Sequence, residues 1–297
     1  MNGSRSTLQP TLMIRSVRAC FVTIAFACSI TAQAAQTVPN LAPSSTTGWI
    51  GYGPEYMPVP GSPRPVASDP AHPYIPNAIE YLSARPDLKV VEQSTFPVAD
   101  LTNPILQPWV RDALRKLNER VLAGQPVFEH RASCWPAGVP AFLLAVVNPI
   151  FFIQTPKQVT MIAQGGDHTV RRVHLNVAHS PRVAPAWFGE SVGHYEGDTL
   201  VVDTIGLNAK SYVDIYRTPH SEQLHVIERF RLIEDGKTLE AEIYVEDPGA
   251  FTTPWRGIQR FALSERSPLV ESACAENNAN YFNYDMDPMP VANRPDF

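Results

Sequence analysis

The sequence LHVIERFRLIEDGKTLEAEIYVE occupies residues 224–246 and has the features of a β-hairpin. Its two halves are rich in β-branched and aromatic residues, which favour strands. The connecting residues Glu234 to Lys237 contain Asp-Gly, a dipeptide typical of tight hairpin turns. We therefore predict two antiparallel strands, Leu224–Ile233 and Thr238–Glu246, as the starting point for the rest of the fold.

Further runs of this type lie between residues 150 and 274, separated by turn residues such as Glu196-Gly197-Asp198. Eight or nine short strands in about 130 residues are typical of a barrel or a sandwich. We predict a mainly β chain whose strands form a single antiparallel β-barrel domain. The additional predicted strands are Ile150–Gln154, Gln158–Gln164, Thr169–Leu175, Val192–Glu196, Thr199–Thr204, Trp255–Leu263 and Pro268–Cys274.

The region before these strands is predicted to contain an extended arm and one clear helix. Residues 35–107 are dense in proline, which disfavours helices and central strands, so we predict an arm wrapped on the domain surface, with a short helix at Asn77–Ala84. An amphipathic helix is predicted from Pro108 to Ala123, because apolar residues recur there at helical spacing and Gly124 suits the position after a helix. Residues 108–297 are then the domain of helix plus barrel.

Residues 1–34 are predicted to be a signal peptide. Arg15 and Arg18 form a positive flank, Ala19–Ala32 is an uncharged apolar run, and Ala32-Gln33-Ala34 has the small-x-small pattern of a cleavage site. The run is too short to anchor the chain across a bilayer. We expect an exported protein, periplasmic or secreted, without membrane insertion. A lipoprotein tethered at Cys28 is the alternative.

Export has consequences for the cysteines and for the charge. After cleavage only Cys134 and Cys274 remain, and two cysteines in an oxidising compartment predict a disulfide, with a metal or nucleophilic thiol as the alternative. Loss of the three leader arginines takes the formal net charge from −5 to −8, which disfavours nucleic acid and anionic lipid as partners. No dinucleotide-binding or phosphate-loop motif is present, so no cofactor is expected, although a metal stays open.

The strongest candidate for chemistry is the cluster His220, His225, Glu228 and Arg229. Side chains alternate along a strand, so His225 and Arg229 share one face and Glu228 lies on the other. Either face could point into the barrel: the first gives an acid–base group with a cation for an oxyanion, and the second gives a buried carboxylate able to act as a base. The alternatives are a solvated face with a core Glu–Arg pair, and a zinc site from His220, His225 and Glu228.

Three further groups have residue types that could carry chemistry. Asp203 ends an apolar strand, where a carboxylate often orients a neighbour. Residues 167–174 contain an Asp-His pair, two arginines and His174, for which turn chemistry and a solvent-facing strand are the simpler interpretation. Gly189-Glu-Ser191-Val-Gly193 matches the nucleophile pattern of hydrolases, but a helix should follow the serine and a hairpin is predicted instead.

Three segments together resemble a family of exported bacterial proteins that are mostly uncharacterised: residues 187–204, which include Gly-Asp-Thr-Leu-Val-Val-Asp-Thr; residues 219–230, Pro-His-Ser-Glu-Gln-Leu-His-Val-Ile-Glu-Arg-Phe; and Asp247-Pro248 through Pro254-Trp255. The resemblance covers roughly Leu101 to Asn278. It implies an exported, β-rich protein with a calycin-like barrel. It assigns no activity and no catalytic residues.

Two functions follow as hypotheses. The first is a cofactor-independent lyase, isomerase or hydratase that binds a small, largely apolar or cyclic organic substrate in the barrel lumen. In it, His220, His225, Glu228 and Arg229 would perform acid–base chemistry, assisted by Asp203. The second is a ligand-binding or carrier protein that uses the same lumen without turnover. A serine hydrolase using Ser191 ranks below both, and the oligomeric state is open.

Overall fold

The structure is a computed structural model that describes residues 1, 3, 38–43, 48–74, 96–125, 127, 134–145, 149–164, 169–264 and 268–271. The chain divides into two compact units, Met1–Ala35 and Gln36–Phe297. The predicted signal peptide lies in the first unit, almost wholly outside the described residues. All of the described helices and strands belong to the second unit.

The described part of this unit contains ten strands and two α-helices. A single 3₁₀ turn, Glu234–Gly236, forms part of the predicted hairpin loop. The strands are β1 Gly48–Gly51, β2 Glu55–Pro58, β3 Ile150–Gln154, β4 Gln158–Ala163, β5 Thr169–Leu175, β6 Glu190–Glu196, β7 Thr199–Ile205, β8 His225–Ile233, β9 Thr238–Glu246 and β10 Trp255–Ser264, and the helices are α1 Pro108–Leu122 and α2 Ala141–Leu144.

Nine of the strands close into a β-barrel. The ring runs in the order β1, β3, β4, β5, β6, β7, β8, β9, β10, and β10 returns to β1; β2 adds a short tenth strand beside β10. The predicted mainly β barrel is therefore confirmed. One pairing departs from the predicted antiparallel pattern, because β5 and β6 run parallel. A parallel pair needs a crossover, and the segment 176–189 provides it.

The ring is closed by a strand from the proline-rich segment, where the sequence predicted none. Trp49 on β1 lies opposite Ile150 of β3 on one side and opposite Leu263 of β10 on the other. After a break at residues 52–54, β2 continues along β10. A four-residue strand bounded by glycines carries almost no periodic pattern, which is why the sequence did not reveal it.

The other predicted strands agree with the structure where it describes them, with one exception. The other strands begin and end within two residues of their predicted bounds. The exception is Pro268–Cys274, whose described residues 268–271 form no strand. The predicted helix at residues 77–84 lies outside the described residues. Cys134 forms a disulfide, but Cys274 is not described, so their pairing stays a prediction.

Helix α1 matches its prediction closely. Pro108 is at its first turn, and Gly124 follows it with φ +66°, a left-handed conformation that glycine adopts without strain. Asn118 on its buried face receives a hydrogen bond from the backbone N–H of Ala99 and donates one to the Ala99 carbonyl, at 3.0 and 2.8 Å. Trp109 Nε1 donates to the Gly249 carbonyl at 2.7 Å. The helix is therefore tied to the connection between β9 and β10.

The barrel interior is filled by alternating side chains. On β8 the buried residues are Val226, Glu228 and Phe230, while the residues between them face outward. Trp49 and Trp255, both 1% exposed, belong to the same continuous apolar core. This alternation settles which of the two predicted faces of β8 points inward. The inward face of β8 is the one that carries Glu228.

Candidate functional site

The parallel pairing leaves a weak seam in the barrel wall. Only three residue pairs join β5 to β6, from Val173 opposite Ser191 to Leu175 opposite Gly193. Residues 169–172 of β5 have no register partner on β6. The crossover residues 182–189 lie beside this opening and are fixed to the end of β7, where Ala186 N–H donates to the Gly206 carbonyl at 3.0 Å. Gly189, with φ +57°, passes so close to β7 that a Cβ would lie 2.2 Å from the Ile205 carbonyl oxygen.

A cleft of about 540 Å³ lies at this seam, and we call it the wall cleft. Its volume is within the range of small-molecule sites, about 300–1,000 Å³. Strand β5 forms one side, the crossover segment forms the other, and the start of β6 lies between them. The lining residues are Val170, Arg171, Arg172, His174, Arg182, Val183, Ala184, Ala186, Trp187, Phe188, Gly189, Glu190 and Ser191.

The charges of the wall cleft are mostly positive. Arg172, His174 and Arg182 form no hydrogen bond or ion pair with any described residue, and all three are exposed. Glu190 is the one acid of the lining, and its carboxylate is already occupied. It accepts hydrogen bonds from the Ser180 backbone N–H at 2.7 Å and from the Ser180 hydroxyl, and these bonds, followed by the contact with His179, lower its pKa.

Beneath the cleft lies a buried polar network. Arg171 forms an ion pair with Glu228, both side chains being fully buried, and its Nη1 donates to Glu228 Oε1 at 2.7 Å. Its Nη2 also donates to Ser191 Oγ at 3.1 Å and to Thr204 Oγ1 at 2.9 Å. Arg171 thus connects four neighbouring strands, β5 to β8, across the seam. The predicted alternative of a core Glu–Arg pair is the arrangement present, with Arg171 as the arginine.

On the outer surface, two imidazoles share one carboxylate. Nε2 of His225 and Nε2 of His179 both lie 3.0 Å from Asp203 Oδ1. The second nitrogen of His179 lies 3.0 Å from Glu190 Oε1. Nδ1 of His225 lies 3.9 Å from Glu246 Oε2. We call these five residues the outer clasp; through Glu190 it reaches the wall cleft.

The five predicted acid–base residues do not converge on a lumen. Of the four that lie on strands, Glu228 alone points inward, where it is paired with Arg171. His225 and Asp203 belong to the outer clasp, and Arg229 forms a surface ion pair with Glu196 at 2.6 Å. The expected lumen site is therefore corrected, because strand alternation sends His225 and Arg229 to the side opposite Glu228.

His220 is buried, and its two ring nitrogens are used in hydrogen bonds within the protein. It is 1% exposed, its Nδ1 donates to the Ser221 carbonyl at 2.8 Å, and its Nε2 hydrogen-bonds with Ser211 Oγ at 2.9 Å. It therefore does not meet His225 and Glu228, as the zinc alternative required. The described residues contain no group of three or more His, Cys, Asp or Glu side chains arranged to hold a metal ion.

Ser191 lacks the partner that a nucleophilic serine needs. Its hydroxyl is 3% exposed and contacts the Arg171 guanidinium and Thr204 Oγ1. No imidazole of the described chain lies within hydrogen-bond distance of it. A guanidinium only donates, so Arg171 cannot take the serine proton.

Several residues of the cleft and the clasp were not selected from the sequence, namely His179, Arg182, Trp187 and Glu190. They lie on or next to a loop without periodic pattern. The signal that could have found them is the density of histidine, arginine and aromatic residues in a proline-containing loop, at residues 179–188.

A separate buried carboxyl, Asp214, lies in the turn before His220. Its Oδ1 accepts hydrogen bonds from the Tyr216 and Thr218 backbone N–H groups at 2.9 and 3.0 Å. Burial is the main cause that raises its pKa to about 6, and these hydrogen bonds lower it only in part. Nearby, burial raises the pKa of Tyr216 to about 12. Asp214 thus forms the turn, but its buried charged carboxylate lowers the free energy of unfolding at neutral pH.

We expect Asp214→Asn to stabilise the protein at pH 7.5 by about 2–3 kcal/mol and to remove a pH dependence between pH 4 and 6. The folded-state pKa of about 6 lies above the ordinary 3.8, so the native protein binds the extra proton and its free energy of unfolding falls as pH rises through this window. Asparagine keeps the acceptor oxygen. Urea unfolding at pH 4.5 and 7.5 measures the change. Asp69→Asn, in an exposed turn of the same kind, is the control, and equal effects of the two variants would contradict the explanation.

Within the described residues, no helix has the length and apolar character needed to cross a membrane. Comparison of the chain with known protein families, curated proteins and solved structures finds no match. The fold and the site geometry are therefore the basis for a functional proposal.

Proposed function

We propose that this protein binds a small organic anion in the wall cleft. The proposal keeps the ligand-binding hypothesis but moves the site from the barrel interior to the barrel wall. The interior is filled by a continuous apolar core, and its charged pair is already satisfied. The wall cleft is open and has free polar groups.

The observation that carries the proposal is a set of basic side chains without an acidic partner. Arg172, His174 and Arg182 line one cleft without a counter-ion among the described residues, although the whole chain has a formal net charge of −5. Arginines elsewhere on the barrel, such as Arg229, Arg256 and Arg260, each pair with a glutamate. An anion between Arg172 and Arg182 would supply the missing partner, and a carboxylate suits the planar guanidinium fork.

The aromatic side of the cleft indicates the rest of the ligand. Trp187 and Phe188 are partly buried and line the cleft on the crossover segment, where Trp187 packs edge-on against Trp135 with ring centroids 5.1 Å apart. Aromatic walls bind apolar or cyclic groups, while a few polar groups fix the orientation. The expected ligand is therefore a small carboxylate with a ring or a branched apolar body.

A second candidate, acid–base turnover of the same ligand, is favoured by His174. Its exposed imidazole lies two residues after Arg172 on the outward side of β5, so both face a bound carboxylate. A proton taken from the carbon beside the carboxylate would go to an imidazole nitrogen. This moves the proposed acid–base role from His225 and Glu228 to His174.

Calorimetric titration with phenylacetate, indole-3-acetate and 1-naphthoate, each beside its neutral amide, tests the binding proposal. We expect the carboxylates to bind and the amides not to. Arg172→Gln and Arg182→Gln should each weaken binding about tenfold, the loss of a charge-assisted hydrogen bond. The control is Arg229→Gln, which removes an exposed arginine outside the cleft and should leave the affinity unchanged.

Equal binding of amides and carboxylates, or unchanged affinity in both cleft variants, would rule out anion recognition at this site. Failure of all three carboxylates to bind at millimolar concentration would do the same. For the second candidate, solvent deuterium should appear at the α-carbon of a bound ligand and should disappear in His174→Gln while binding persists. Ligand binding without deuterium exchange at the α-carbon would exclude turnover and would leave the ligand-binding function alone.

A further inference from the structure

The crossover segment 176–189 forms one side of the wall cleft. Beyond its start, where the Asn176 N–H donates to the Gly193 carbonyl, it is attached to the barrel at two further places. The first is the backbone contact of Ala186 with Gly206 and Asn208. The second is at residues 179 and 180, where His179 belongs to the outer clasp and Ser180 donates from its backbone N–H and its hydroxyl to Glu190. The Ala186 contact and the Ser180 hydrogen bonds are independent of imidazole charge, whereas the His179 contacts depend on it.

His179 lies between two carboxylates. Its Nδ1 faces Glu190 Oε1 and its Nε2 faces Asp203 Oδ1, both at 3.0 Å. A neutral imidazole has one N–H and can donate to only one of them, whereas the imidazolium donates to both. His225 also lies between two carboxylates, with Nε2 at hydrogen-bond distance from Asp203 (3.0 Å) and Nδ1 at the longer distance of 3.9 Å from Glu246.

The other three residues of the outer clasp carry carboxylates. Glu190 comes from β6, Asp203 from β7 and Glu246 from β9, and their only cationic partners among the described residues are His179 and His225. Tyr244, also on β9, has its pKa raised by burial and by Glu246, and therefore stays neutral. Without charge on the imidazoles, these three carboxylates on β6, β7 and β9 would lack a counter-charge among the described residues.

We propose that protonation of His179 and His225 latches the segment 176–189 onto the barrel, so that the wall cleft is held in place at acidic pH and loosens as pH rises. Histidine is the type of side chain whose charge changes near neutral pH, so the test compares pH 5.5 with pH 8. Its effect on ligand affinity rests on the proposed function. The latch itself does not need a ligand.

Hydrogen–deuterium exchange of the ligand-free protein tests the latch at the amides of Ala186, Gly189 and Asn208, all hydrogen-bonded in or to this segment. Wild type and His179→Gln are compared at the same pH, so that intrinsic exchange rates cancel. At pH 5.5 the variant should exchange about fivefold faster, a modest value because the clasp is partly exposed. At pH 8 the two proteins should exchange alike. Asp203→Asn, which removes the negative charge that both imidazoles share, should behave as His179→Gln does.

The matched control is His194→Gln, which removes a surface histidine paired with Glu196 on β6 but leaves the crossover segment untouched. A ratio that is the same at both pH values, or no difference at pH 5.5, overturns the latch. Protection that instead grows with pH and is lost in EDTA identifies a metal ion and also overturns it. Ligand affinities are measured at both pH values in a His174→Gln variant, which removes the imidazole that lines the cleft, and they show separately whether ligand binding depends on the attachment of the segment.

Discussion

Arg171→Met is expected to lower the free energy of unfolding by about 3–5 kcal/mol. The substitution leaves Glu228 fully buried without the only counter-charge that it has among the described residues. It also removes the hydrogen bonds that reach Ser191 and Thr204 from β5. Because β5 and β6 share only three register pairs, this network is the main polar connection across the seam. Urea unfolding followed by circular dichroism gives the change.

The double variant Arg171→Met with Glu228→Leu distinguishes a buried ion pair from a simple packing defect. Removing both charges leaves no uncompensated ion, so most of the lost stability should return. The matched control is the exposed pair Arg229–Glu196, where Arg229→Met should cost less than about 1 kcal/mol. A double variant as unstable as the single one would show that the pair is not what the single substitution disrupts.

The location of this pair illustrates what the sequence could predict about the site. The period of two on β8 restricts Glu228 to the face opposite His225 and Arg229, but it does not say which face is inside. The inward choice depends on Arg171, which lies 57 residues earlier in the chain. Without that long-range partner, an inward Glu228 and an inward His225 are equally reasonable.

The fold was more predictable than the site, and for a physical reason. Strands such as β8 and β9 are long and are joined by a short turn, so local pattern and turn chemistry specify both their existence and their pairing. The mainly β class followed from these hairpins. The parallel β5–β6 pairing did not, because it depends on a crossover of irregular sequence that passes close to β7 at Gly189.

The same crossover explains why the candidate site moved. A closed antiparallel ring would leave a lumen as the natural cavity, and the acid–base residues were placed there. One parallel pairing instead opens the wall and brings a loop over the opening, so that Arg182 and Trp187 face Arg172 and His174 on β5. Sites formed by loops against a rigid sheet are where sequence periodicity is least informative.

Trp49→Ala is the second substitution expected to have a large effect, about 3–5 kcal/mol in the free energy of unfolding. Trp49 is 1% exposed, its Nε1 donates to the Leu41 carbonyl at 2.8 Å, and it is the residue of β1 that faces both β3 and β10. Its loss removes a large core side chain at the closure of the ring. The measurement is urea unfolding with the slope recorded as well as the midpoint, since a loosened native state lowers the slope.

Trp109→Ala is the matched control for this closure. Trp109 is also a tryptophan with an Nε1 hydrogen bond to a carbonyl, but it is 44% exposed on α1, so its removal should cost about 1 kcal/mol. Equal losses for the two variants would mean that β1 does not complete the ring in solution. A clearly larger loss for Trp49→Ala would show that the proline-rich segment, which the sequence indicated only as a surface arm, supplies the strand that holds β3 and β10 together.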